Sequence, residues 1–513
     1  MSTEYVLELK EVSKHFGEVI ANDHINLNVK KGEILAILGE NGSGKTTLMN
    51  MIAGIYYPDA GEIYVKNQPV TIRSPKDSLA LKIGMIHQHF KLIDVLTAAE
   101  NIILGLPGKQ HLNMEGVKEE IQELMAHNGF ELNLDQKIYS MSVSQKQTVE
   151  IIKVLYRGAD LLILDEPTAV LTPQETKKLF DVLRKMRANG KSIIIITHKL
   201  NEVLELSDRV SVLRKGKYIG TVETKHATIE SLTEMMVGEK VSLNIKRALP
   251  KNRELRLEMK GVTCLDSEGI RVLENASFKA YSGEILGVAG ISGNGQKELL
   301  ESINGLTPTL EGEILYHDGK GTIYRLDKMD AGHIKQLDIG LSFVPEDRLG
   351  MGLVGSMDAT DNMMLRSYSE GKGHFLDRKT SRALAKKIIE KLEVVTPSVE
   401  TPVRRLSGGN VQKLLVGREI ASNPSLLMVA YPVRGLDINS SYVIYNLLNE
   451  QKEKGVAVIC VIEDLDVLLE LCDRIMVLNS GHVAAIVDAR KTTKEEIGML
   501  MTAEPNKERA VNE

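Results

Sequence analysis

Residues 39–46 read GENGSGKT and satisfy G-x-x-x-x-G-K-[ST], between the apolar run 34–38 and the helix-compatible run 47–53. Gly39, Gly42 and Gly44, interleaved with Asn41 and Ser43, let successive backbone N–H groups turn inward around phosphate oxygens, and the helix start behind them adds its dipole. Lys45 reaches toward terminal phosphates, the Thr46 hydroxyl offers an oxygen to magnesium, and Thr47 follows in the first helical turn. Residues 161–167, LLILDEP, form an apolar strand that ends in two adjacent acids. One acid suffices to orient a metal shell, so the pair divides the labour: Asp165 for magnesium, Glu166 to polarise an attacking water. Residues 192–198, SIIIITH, deliver His198 at the end of another buried strand, suited to a γ-phosphate. Gln88, within 85–90 MIHQHF, has two readings: an amide bridging metal and water without adding charge, or an ordinary surface glutamine. The chemistry these side chains share is phosphoryl transfer from a nucleotide to water.

Such side chains act together only if several strand ends lie side by side. At 513 residues the chain exceeds what one core usually organises. It also repeats itself: 31–39 KGEILAILG returns as 282–290 SGEILGVAG, 99–104 AENIIL as 360–365 TDNMML, and 207–216 SDRVSVLRKG as 472–481 CDRIMVLNSG. The order is kept, so each half carries the same fold. Within each half, β-branched apolar runs alternate with amphipathic stretches such as 176–189, which predicts an α/β class with a mostly parallel sheet, twice over. The expected division is a first domain at 1–245, a polar linker at 246–254 containing Pro250, a second domain at 255–505 and a polar tail at 506–513.

Composition narrows the function classes. Lys plus Arg number 64 against 69 Asp plus Glu, without the basic excess of a dedicated nucleic-acid binder. The longest apolar runs, 192–197 and 456–462, fall far short of the roughly 18–20 residues that span a bilayer. The first residues, MSTEY, carry no secretory signal, so a cytosolic chain is expected unless a partner recruits it. Cys264, Cys460 and Cys472 have no metal-ligand spacing and are expected to be packing residues.

Aligning the halves exposes losses in the second. Gln296 stands at the position of Lys45, Lys297 at Thr46, Ala430 at Asp165, Tyr431 at Glu166, Glu346 at Gln88 and Glu463 at His198. Losing a general base alone commonly costs about 10²–10⁴ in rate, and several groups vanish together here. No meaningful hydrolysis is expected at the second phosphate loop.

The phosphate loop, Gln88, 142–147 SVSQKQ, Asp165 with Glu166, and His198, in this order and spacing, resemble the nucleotide-binding domain of ABC transporters over almost the whole chain. Residues 406–413, LSGGNVQK, are similar to the signature motif of that family. The resemblance implies two tandem P-loop, ABC-type domains, each with a mostly parallel sheet core, an antiparallel β part and a helical subdomain. It implies ATP and Mg²⁺ as ligands, the metal held by Thr46, Gln88 and Asp165. In that family two domains face head to tail, each ATP lying between one phosphate loop and the opposite signature. Ser407, Gly408, Gly409 and Asn410 would then contact the ATP held by 39–46. The first-half signature, 141–145 MSVSQ, has Val143 and Ser144 in place of the glycine pair, so one good site and one poor site are expected. Phe16, in 15–17 HFG, matches the family's base-stacking aromatic; a buried core aromatic is the other reading.

Fused domains with a degenerate second site are similar to importers of simple sugars and nucleosides. Residues 84–90, 151–160 and 167–175, together with Ala430 and Tyr431, look most like the nucleoside branch. That branch implies an ATP-hydrolysing subunit, peripheral at the cytoplasmic face of the membrane, with two integral-membrane permease subunits, an extracytoplasmic solute-binding protein and no nucleic-acid partner. Segments 90–104 and 350–365 would grip the permeases, or are plain core packing. The rivals are a sugar importer ATPase, a soluble ABC ATPase acting on ribosomes or DNA, and a nucleotide sensor without turnover.

Overall fold

Runs of isoleucine and leucine account for the centre of the molecule. In the computed structural model, which describes residues 4–88, 90–106, 113–239, 245, 247–250, 253–266, 268–291, 293–368 and 378–503, every residue of the strands Ile34–Leu38, Leu161–Asp165 and Ser192–Thr197 is buried. Strands covered on both faces read as continuous apolar runs rather than alternating ones. Each fully buried Ile or Leu contributes roughly 1.5–3 kcal/mol of transfer free energy, so these strands hold the sheet whatever chemistry their ends carry.

The chain forms two compact units, Met1–Ser242 and Leu243–Glu513. In the first, Ile34–Leu38, Ser192–Thr197, Leu161–Asp165 and Ile83–Ile86 are parallel neighbours in that order within a ten-stranded sheet. Their register sets Leu38 against Thr197, Asp165 against Ile196 and Ile86 against Leu164. All four therefore end along one edge, where the loops that follow them gather. The antiparallel strands Tyr5–Phe16, Val19–Lys30 and Ala60–Val65 join this sheet through one bridging pair, Lys217 with Asp23.

The second unit repeats the plan with two separate sheets. Ile285–Gly290, Ala457–Val461, Leu426–Ala430 and Leu341–Val344 form the parallel centre of a six-stranded sheet. Leu255–Leu265, Arg271–Tyr281, Thr309–His317 and Ile323–Arg325 form a four-stranded antiparallel sheet. Each half is thus α/β with a parallel core, as the alternation of apolar periods predicts, and with the antiparallel part and helices that the family resemblance implies. Cys264, Cys460 and Cys472 are buried free thiols.

Of the linker expected at 246–254, residues 246, 251 and 252 lie outside the described residues, as does the whole tail 506–513. Ile245 packs into the core of the second unit, and Arg247 Nη1 donates to the Leu469 carbonyl at 2.9 Å. Lys452 Nζ donates to the Ala248 carbonyl at 2.6 Å. Among the described residues no helix is long and apolar enough to cross a membrane.

Candidate functional site

The loop after Ile34–Leu38 has a backbone that only glycine fills comfortably. Gly42 and Gly44 sit at φ 79° and 93°, and a Cβ on Gly44 would collide with the Ala21 carbonyl. Beyond it the helix Lys45–Ile52 begins. Lys45 is buried, and its Nζ donates to the carbonyls of Gly39 at 2.7 Å and Glu40 at 2.9 Å, so the cation bridges the loop it would share with a phosphate. Burial pulls the Lys45 pKa down, opposed by the nearby carboxylates of Glu166, Asp165 and Glu40. The Ser43 hydroxyl is buried with no hydrogen-bond partner among the described residues, an orphan that a phosphate oxygen suits. Asn41 is exposed at the loop tip and Thr47 half-buried in the helix.

Three other strand ends deliver side chains to the same edge. Asp165 is buried, and burial followed by the neighbouring Glu166 charge pushes its carboxyl above the usual range. Thr46 Oγ1 lies 3.5 Å from Asp165 Oδ2. These two oxygens fit a hard divalent cation such as Mg²⁺, which takes few protein ligands and keeps positions for water and phosphate. Glu166 moves the other way: the hydrogen bond with His198 comes first among the causes that hold it below its ordinary value. His198 Nδ1 lies 2.9 Å from Glu166 Oε1, and Gln88 Nε2 donates to Glu166 Oε2 at 3.2 Å. Both carboxylate oxygens are thus held by residues from two other strand ends. Glu166 itself sits at φ 46°, a left-handed position that a non-glycine residue occupies only where its surroundings enforce it.

Lys45, Thr46, Asp165, Glu166, His198 and Gln88 are therefore gathered at one sheet edge. Phe16 is 43% exposed rather than buried in the core. Its ring meets Tyr56 edge to face at 5.2 Å, a partner the sequence did not single out.

In the second unit the loop and strand ends keep their places while the chemistry changes. The helix Gln296–Ile303 starts as Lys45–Ile52 does, and Gln296 Nε2 donates to the Ile291 carbonyl at 2.9 Å, reproducing the fold-back of Lys45 without its charge. Lys297 is exposed and pairs with Glu301 at 3.7 Å, so it does not replace Lys45. Tyr431 sits at φ 47°, and burial, then the charges of Glu463 and Glu346, push its pKa up to about 12. Arg434, where the first half has Ala169, pairs with Glu346 and with Glu463 (3.4 Å).

Ser407 caps the helix Gly408–Ala421, its hydroxyl accepting from Asn410 Nδ2 at 2.9 Å. A Cβ on Gly409 would stand 3.0 Å from the Ser440 hydroxyl, and one on Gly408 3.2 Å from Arg348 Nη1. Arg348 also donates to the Arg434 carbonyl. At the matching helix Val143–Tyr156 a reciprocal capping box of Ser142 and Gln145 closes the helix start with its own side chains.

The sequence pattern of the ABC transporter family matches residues 22–169 and 273–432. The chain is 42% identical to the nucleoside import ATP-binding protein NupA of Lactococcus lactis subsp. cremoris, over 98% of this chain and 99% of that protein. It is likewise 42% identical to the guanosine import ATP-binding protein NupO of Bacillus subtilis, over 98% and 99% of the two chains. A glucose import ATP-binding protein of Haloferax volcanii is 40% identical over 98% of this chain and 96% of its own length.

Proposed function

This chain belongs to the ABC transporter family, and from that premise we propose that it is the ATP-hydrolysing, energy-coupling subunit of an importer whose cargo is a nucleoside. The observation that carries the hydrolytic part is the convergence of Gln88 and His198 on the two oxygens of Glu166, beside Asp165 and the loop 39–46. The two relatives at 42% identity, named for nucleoside and guanosine import, support the cargo.

ATP is the substrate. Gly39, Asn41, Gly42, Ser43, Gly44, Lys45, Thr46 and Thr47 hold its phosphates, and exposed Phe16, backed by Tyr56, stacks on the base. Thr46, Asp165 and Gln88 would hold Mg²⁺, which supplies charge neutralisation on the phosphates when bound. Glu166, kept ionised by its hydrogen bond with His198, accepts from a water and orients it for attack. His198 holds that carboxylate and faces the γ-phosphate. Ser407, Gly408, Gly409 and Asn410 contribute a second set of donors to an ATP on a first-half phosphate loop; the complementary losses of the two halves support this assignment.

The subunit is peripheral to the membrane on its cytoplasmic face, works with two permease subunits and receives cargo through an extracytoplasmic solute-binding protein. The test is uptake of labelled purine and pyrimidine nucleosides, with ribose and galactose as controls, in cells with and without the gene. Loss of nucleoside uptake alone is expected. Loss of sugar uptake alone would replace the cargo with a sugar, for which the relative named for glucose import provides the precedent.

A further inference from the structure

A polar network, buried at Thr168 and half-buried at Lys199 and Glu202, stands beside Glu166. Thr168, two residues on and buried, donates through Oγ1 to Glu202 Oε2. Lys199, next to His198, donates through Nζ to the Thr168 carbonyl at 3.0 Å and pairs with Glu202 at 3.1 Å. On the other flank, buried Gln147 donates through Nε2 to the Pro167 carbonyl at 2.7 Å. The turn that carries Glu166 is thus gripped at two consecutive carbonyls, and one grip runs through the residue that follows His198.

The second unit serves as an internal control. There Tyr431 keeps the left-handed backbone of Glu166 (φ 47° against 46°), and its N–H donates to Val461 as that of Glu166 does to Ile196. Yet Val433 stands for Thr168, Asp464 for Lys199 and Val467 for Glu202, with both valines packed against the core. Gln412, the counterpart of Gln147, is buried with neither side-chain atom bonded among the described residues. The strained turn survives without the network, so the polar groups of the first unit are not required to fold it. Buried polar groups are costly unless hydrogen-bonded, as Thr168 and Gln147 are, and a satisfied network fixes the geometry of what it holds, here the turn that sets a carboxylate against a histidine.

We propose that Thr168, Lys199 and Glu202, seconded by Gln147, are positioning residues for ATP hydrolysis, fixing Glu166 relative to His198. The proposal rests on hydrolysis at the first site. The experiment uses the full chain with Thr168→Val, Lys199→Met, Glu202→Val and the triple replacement T168V/K199D/E202V, which installs the residues of the second half. The readouts are ATP affinity, kcat and KM for hydrolysis, and thermal melting. The expected result is a kcat lowered about 10- to 10²-fold, the scale of a small misplacement of a reacting group, with ATP affinity, KM and melting close to wild type. Thr168→Ser, which keeps the hydroxyl, should restore most of the rate that Thr168→Val loses. Wild-type rates in Thr168→Val and Lys199→Met overturn the proposal, as does a loss of rate that tracks melting and is not rescued by serine. A wild-type chain that binds ATP without turnover overturns the hydrolytic reading itself, and this inference with it.

Discussion

The two units present the same four strand ends with opposite polarity. In the first, a carboxylate is central: Glu166 is held by an imidazole and an amide. In the second, a cation is central: Arg434 is held by Glu346 and Glu463, the residues standing where the amide and the imidazole were. The second arrangement pairs its own charges, whereas the first gathers Lys45, Asp165 and the orphaned hydroxyl of Ser43 at the loop 39–46. Register, glycine turns and even the left-handed residue are common to both. The core therefore maintains the architecture, and the polar side chains at the strand ends, to which we assign hydrolysis, are a separate set laid on it.

The most severe break in this asymmetry is Glu166→Gln. It removes the charge proposed to polarise water while leaving the loop and Lys45 in place, so turnover should fall by about 10²–10⁴ with ATP binding retained. Parallel hydrolysis and equilibrium-binding measurements check it, and unchanged hydrolysis would take Glu166 out of the mechanism. Next in size, His198→Glu imports half of the second unit's arrangement without its arginine. Two carboxylates then meet where one was hydrogen-bonded, and a rate loss of about 10²-fold is expected. Adding Ala169→Arg should recover melting temperature and not rate. Recovered hydrolysis would mean that the polarity of the centre is immaterial.

How much of this was legible in the sequence follows from which features have a spacing rule. The phosphate loop, the Asp165–Glu166 pair and His198 are readable because glycine dihedrals and strand ends dictate where such residues fall along the chain. The repeat is readable for the same reason, as are the buried cysteines. Arg434 and the network of Thr168, Lys199 and Glu202 are not: Arg434 meets Glu346 and Glu463, and Thr168 meets Glu202, across stretches of chain that obey no periodicity, the pair Lys199–Glu202 has the spacing of any helical surface pair, and Lys, Thr and Glu are ordinary surface types. Position-by-position comparison of the halves beyond the motifs held the available signal: Ala169 against Arg434, Thr168 against Val433. Gly17, at φ 61°, marks the turn after Phe16, but the sequence left open whether the ring enters the core or, as found, stands exposed beside Tyr56.

A gentler probe is Arg434→Met. Arg434 and Glu463 are more than half exposed, and such pairs are screened, so the loss of unfolding free energy should not exceed about 1 kcal/mol by chemical denaturation. Adding Glu346→Gln and Glu463→Gln should cancel it, because the two acids then no longer lack a cation. A loss that persists in the triple variant would assign Arg434 a packing role through its stacking, at 5.8 Å, on Tyr431.

The smallest effect belongs to the most conspicuous difference. Gln296→Lys restores the phosphate lysine of the second loop, and the new side chain has a ready acceptor in the Ile291 carbonyl, as Lys45 has in that of Glu40. Hydrolysis should nevertheless stay within about twofold of wild type, because Ala430 offers no metal oxygen, Tyr431 is neutral at ordinary pH, and Arg434 is already neutralised by Glu346 and Glu463. The same change made in the Glu166→Gln background isolates the second loop, since first-site turnover is then removed. Steady-state hydrolysis in that double variant should remain at the level of Glu166→Gln alone. Recovery toward wild type would mean that one lysine suffices to activate the second site, and that the inverted strand ends around Arg434 do not determine which unit hydrolyses ATP.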